Sequence, residues 1–206
     1  MAWAPDYATT AELRSYITRS SVTVDDTELA LAVTAASRVV DEYCGRQFGS
    51  TSTTEARVYT AEYDRRRRRW LIDTDDIPTV TGLEIMVDDD DDETFDKEID
   101  VYRLWPFNAG DLGRPWTRII VDPDSSNFPS CAEGAVEVTA TYGWTSVPSP
   151  VKTATLIIAN RVFQRRVSPF GIAGSPETGS ELRLLRTVDV DAQQILAPYR
   201  RRWGAA

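Results

Sequence analysis

The sequence predicts an α+β protein: a helical domain formed from both chain ends, residues 1–50 and 146–206, with an antiparallel β-rich domain, 51–145, inserted between them. Three observations point to this. Apolar residues recur at helical spacing near both ends. Through the middle they alternate every second residue or cluster as β-branched runs. The middle runs are separated by stretches such as "NAGDLGRP" and "DPDSSNFPS", which are turn and loop chemistry. The 206 residues are enough to bury a sizeable core. If the helical ends pack together, residues 51 and 145 come close, as an insertion requires.

The elements follow in order. "TTAELRSYI" (9–17) is a short helix with Thr9 or Thr10 as N-cap. In "VDDTELALAVTAASRVVDEYCGRQF", Asp25 caps a longer helix and Glu28 stands where it closes a capping box. Leu29, Val33, Ala36, Val40 and Tyr43 fall on one stripe of that helix, and Gly45 is its left-handed stop. "EARVYTAEY", "TVTGLEIMV", "TRIIVD" and "GAVEVTATYGW" read as strands, with Val136, Val138, Ala140 and Tyr142 on one face of the last. Pro148 and Pro150 mark a helix start. "VKTATLIIANRVFQRRV" then lines up Val151, Thr155, Ile158 and Val162, with Leu156 and Phe163 widening the stripe. "SPFGIAGSPETGSE" (168–181) reads as a mobile loop, and "VDVDAQQILAPYRRRW" as a last short helix broken near Pro198.

Composition narrows the function. The chain has no histidine, which removes the commonest general base, the commonest zinc ligand and any histidine-dependent serine or cysteine nucleophile. No phosphate loop, dinucleotide fingerprint or zinc spacing is present, so no catalytic residue, metal site or cofactor is assigned. Cys44 and Cys131 read as reduced, buried residues, with a single disulfide between them as the alternative. No signal segment is visible, and the densest apolar run is too short to span a bilayer, so the chain is expected to be soluble and without a membrane partner. The net charge of −9 argues against a DNA-coating protein.

Two charged runs stand out. The run Arg65, Arg66, Arg67, Arg68, Arg69 has three readings: a solvated strand edge or loop, a contact with carboxylates of a neighbouring subunit, or phosphate binding. If it continued the preceding strand, Arg65, Arg67 and Arg69 would share one face. The run Asp88, Asp89, Asp90, Asp91, Asp92 lacks the ligand layout of an EF-hand and reads as a solvated hairpin tip. It is also the natural partner for the arginines across a subunit boundary. Tyr199, Arg200, Arg201, Arg202 and Trp203 combine the residue types that dominate interface hot spots.

"DDTELALAVTAASRVVDEYCGRQF" (25–48), "YGWTSVPSPVKTATLIIANRVFQRR" (142–166) and "ILAPYRRRW" (195–203), in that order, resemble phage head-to-tail connector proteins, the adaptor or head-completion family of long-tailed phages. The β-rich middle departs from the compact, nearly all-helical members. The resemblance implies a non-enzymatic virion protein, assembled in the host cytoplasm, that forms a ring, usually of twelve subunits, beneath the portal. The ring extends the DNA channel, and genomic DNA passes through without being read. The implied partners are further copies of the chain, the portal protein, and the next neck or tail-completion protein. Tyr199 to Trp203 are then the portal-binding candidates, and the two charged runs the inter-subunit candidates. A nucleic-acid-binding accessory protein acting through Arg65–Arg69 is the alternative.

Overall fold

The computed structural model describes residues 4–17, 25–90, 92–130, 132–165, 172–173, 182–183 and 189–201. It divides into two compact units, 1–48 with 147–206, and 49–146. The fold class is α+β, as the sequence predicts.

The first unit contains helices α1 (Thr10–Ile17), α2 (Asp26–Cys44), α3 (Ser149–Arg165) and α4 (Val190–Leu196), the last running into a 3-10 turn, Ala197–Tyr199. Local chemistry sets the ends. Thr9 Oγ accepts from the Glu12 N–H at 3.1 Å while the Glu12 carboxylate accepts from the Thr9 N–H at 2.8 Å, a reciprocal capping box. Asp25 caps α2 through the Thr27 N–H, and Gly45 closes it at φ +63°. The buried stripe of α2 is Leu29, Val33, Ala36 and Val40, ending on Cys44, while Tyr43 is half-buried. Helix α3 buries Val151, Ala154, Thr155, Ile158 and Ala159; Leu156, Val162 and Phe163 are half-buried. Its inward face is therefore rotated toward small residues, which suit close helix contact better than the larger side chains expected there. Tyr7 donates to the Asp41 carboxylate and accepts from the Phe48 N–H at 3.0 Å, tying the N-terminal segment to α2.

Most of the predicted mobile stretch 168–181 lies outside the described residues; within it, β9 (Ile172–Ala173) pairs antiparallel with β10 (Leu182–Arg183).

The second unit is all β. Its strands are β1 (Glu55–Tyr59), β2 (Ala61–Asp64), β3 (Arg69–Ile77), β4 (Glu84–Val87), β5 (Lys97–Glu98), β6 (Tyr102–Trp105), β7 (Trp116–Val121) and β8 (Val136–Ala140). They form two four-stranded sheets, β1-β8-β4-β5 and β2-β3-β7-β6. The sheets share two bent strands. β1 continues into β2 across Thr60 alone. Between β5 and β6 the ladders persist, because the Ile99 N–H bonds Ile85 O at 2.9 Å and the Asp122 N–H bonds Val101 O at 3.0 Å. Hydrogen bonding thus runs in a closed circuit of six antiparallel positions: β8, β1/β2, β3, β7, β6/β5, β4, and back to β8. The circuit closes through the two bends, since β1 and β5 end one sheet and β2 and β6 end the other. One core fills the barrel, including Ile72, Ile77, Ile85, Val87, Ile99, Ile119, Val121, Val136 and Val138.

The pairing also fixes the two ends of the barrel. Chain entry and exit lie together at one end, where the Trp144 N–H bonds Gly49 O at 2.6 Å and Ser50 bridges Gly143. The loops 65–68, 88–96 and 122–135 lie at the other end, the mouth.

Candidate assembly surface at the barrel mouth

The arginine run does not continue a strand. Arg65 to Arg68 form the turn between β2 and β3, and Arg69 opens β3. The turn is made by Asp64, whose carboxylate accepts from the Arg66 N–H at 2.9 Å and the Arg67 N–H at 3.1 Å. These backbone donors, Arg67 first, hold the Asp64 carboxyl below the usual range. Arg68 takes up the left-handed φ of +56° that the tight reversal needs. Strand alternation therefore does not sort the side chains. Arg65 to Arg68 are all exposed, and among the described residues only Arg67 of these four has an ion-pair partner, Asp64 at 3.2 Å.

Beside this turn is an open cavity of about 540 Å³ lined by Tyr63, Arg67, Arg68, Arg69, Trp70, Val121, Pro123 and Phe128. Tyr63 and Trp70 are cross-strand partners with ring centroids 5.0 Å apart. Trp70 packs down on the barrel core, whereas Tyr63 is 44% and Phe128 40% exposed. The far wall belongs to loop 122–135, which Asp100 pins. Its carboxylate accepts from Ser125 Oγ, from the Ser126 N–H and from Ser126 Oγ at 2.6 Å. These donors, the Ser126 hydroxyl first, hold the Asp100 carboxyl far below its ordinary range.

The aspartate run is the loop between β4 and β5, and its members differ. Asp88 is buried, and its carboxylate accepts from the Asp92 N–H at 3.3 Å and the Glu93 N–H at 2.8 Å, so it shapes the loop rather than facing solvent. Asp89 pairs with Lys97, whose ammonium pKa is raised by that bond. Asp90 and Asp92 are exposed, and Asp91 lies outside the described residues. Like charge, from Asp92 first, holds the Asp90 carboxyl above its usual range. Carboxylate oxygens of Asp88, Asp90 and Asp92 lie within 4.8 Å of one another. Oxygens so grouped are the donor type of calcium or magnesium.

The C-terminal candidates belong to the helical unit. Tyr199 meets Phe48 edge to face at 5.9 Å, Arg200 lies over the Tyr43 ring at 5.1 Å, and the Arg201 N–H bonds Cys44 O at 2.7 Å. Up to Arg201 the segment is thus folded against the end of α2; Arg202 and Trp203 lie outside the described residues. Among the described residues no helix is long and apolar enough to cross a membrane.

The fold has a solved counterpart. The chain is similar to one in the neck of an empty gene transfer agent (GTA) particle computed with C6 symmetry, with a TM-score of 0.56 and 19% identity over 99% of this chain and 96% of that one. Weaker likenesses are to a chain in the virion of a native GTA particle (TM-score 0.49, 19% identity, 87% of this chain and 92% of that one) and to one in the neck of a native GTA particle computed with C12 symmetry (TM-score 0.49, 22% identity, 92% and 97%). No protein-family model and no curated protein matches the sequence. At these identities the likeness is one of fold.

The groove itself escapes sequence reading, although a signal for it exists. In "YDRRRRRW" two aromatics flank an aspartate-led turn, the pattern of a hairpin whose second cross-strand pair from the turn is aromatic. Phe128 arrives from a loop whose path no local pattern dictates.

Proposed function

We propose that this protein is a structural component of the neck of a phage-like particle: an adaptor ring that joins the portal vertex to the tail and extends the DNA channel. The observation that carries the reading is the likeness to a neck chain over 99% of this sequence, spanning the helical and β units together. The C6 symmetry of that neck is consistent with a cyclic arrangement, and the family resemblance suggests twelve copies. The composition fits. An acidic, histidine-free chain suits a conduit through which DNA must slide without being held. The contacts proposed are with copies of itself, with the portal, and with the next neck or tail-completion protein. The C-terminal residues Tyr199 to Trp203 are the candidates for the portal contact.

Production of particles without this polypeptide tests the role. DNA-filled heads that fail to acquire tails, and that acquire them when purified protein is added, are expected; normal tailing without it would refute the reading. The portal contact is tested by deleting 202–206 only. Leu196 is fully buried and the Arg201 N–H holds α2, so a cut at 195 would damage the fold itself. The shortened chain is expected to keep its circular dichroism and lose attachment to purified portal.

A further inference from the structure

The closed circuit of strands places the two charged runs in a specific relation. The arginine turn joins β2 to β3 and the aspartate loop joins β4 to β5, both at the mouth. Around the circuit, β8 separates them on one side and β7 on the other. They therefore stand on opposite flanks of the same rim. Among the described residues no ion pair joins them within the chain. One flank carries exposed Arg65, Arg66 and Arg68 beside an aromatic groove. The other carries exposed Asp90 and Asp92, whose mutual repulsion a cation would relieve.

We propose that the arginine turn and the Tyr63–Trp70–Phe128 groove of one barrel receive the aspartate loop of the next copy, a head-to-tail contact repeated around the ring. The occupant is a second copy because this chain itself presents the complementary charge, at the same end of the barrel and on the opposite flank. Barrels set side by side in parallel meet plus to minus at every boundary. A heterologous contact of this kind propagates until it closes. Guanidinium forks against clustered carboxylates fix orientation, and exposed aromatics beside arginine are typical interface anchors. Single-stranded nucleic acid also uses aromatic and arginine surfaces, but the acidic loop on the same rim opposes it. The inference rests on the ring reading above.

The test is disulfide trapping in the full-length chain carrying Arg67→Cys and Asp90→Cys, with Cys131→Ser so that the introduced thiols dominate. The protein is oxidised at high concentration and, separately, when bound to portal. A non-reducing ladder extending beyond dimers is expected, with single-cysteine chains stopping at dimers. Charge reversal (Arg66→Glu, Arg67→Glu, Arg68→Glu) is expected to weaken self-association roughly tenfold or more. Mixing that variant with Asp89→Arg, Asp90→Arg, Asp92→Arg should restore it. If the native protein forms oligomers but the chain with both introduced cysteines gives no ladder, or one that ends at two, this contact is overturned and the ring is left standing. Native protein that stays monomeric both alone and on the portal removes the ring and the contact together. Loss of single-stranded DNA binding on charge reversal, with self-association intact, assigns the groove to nucleic acid instead.

Discussion

The indole N–H of Trp144 donates to the carboxylate of Asp76 at 2.9 Å, with both residues 4% exposed. The bond stands at the end of the barrel where the chain enters and leaves, and the Asp76 carbonyl also accepts the Gly143 N–H at 2.7 Å. Trp144→Phe keeps much of the ring volume but withdraws a donor from a buried carboxylate. Such a loss costs about 1–3 kcal/mol. Urea denaturation should show a lower midpoint with an unchanged slope.

Gly45 ends α2 at φ +63°, with space for a Cβ 3.8 Å from that of Arg201. The cost of Gly45→Ala is therefore conformational rather than steric, on the order of 1 kcal/mol. Thermal melting of the full chain should fall accordingly, and Gly45→Asn, which tolerates the left-handed region better, should lose less.

Cys44 is buried, and burial pushes its thiol up to about 12. At pH 7 it is neutral and shielded, so iodoacetamide should leave the Cys44 peptide unlabelled in native protein and label it in urea. Peptide mass spectrometry distinguishes it from Cys131.

Asp100 predicts an acid dependence. Its folded pKa is depressed, so its hydrogen bonds contribute stability that is fully present above the unfolded value of about 3.9 and is lost as pH falls toward the folded one. The stability gap between the native chain and Asp100→Asn should be constant from pH 5 to 7 and narrow below about pH 4. Because Asp100 pins the loop that carries Phe128, Asp100→Ala should also raise hydrogen exchange across 122–130.

Much of this was legible in the sequence because helices announce themselves locally. Asp25, Gly45 and the α2 stripe are short-range signals, and they stand where the spacing puts them except that Cys44 takes the buried place expected of Tyr43. The strands were legible in part. Arg69–Ile77 has no clean alternation, carries three aspartates, and shifts register between Asp73 and Ile77, so its pattern is that of a polar loop. Its burial comes from β2 and β7 on either side, which no window of sequence contains. The same limit hid the groove, whose walls come from residues 63–70 and 121–128. It also hid the difference between Asp88 and Asp90, which composition treats alike and the loop's own N–H groups separate.

The hydrogen bond between Trp144 and Gly49 has an evolutionary corollary. Two termini that emerge one bond apart make the barrel a cassette, open to loss, gain or exchange between genomes by a single in-frame recombination that leaves the threading of the host helices untouched. Chains related to this one by descent are therefore expected to share the helical unit while differing in whether, and with what, this slot is filled.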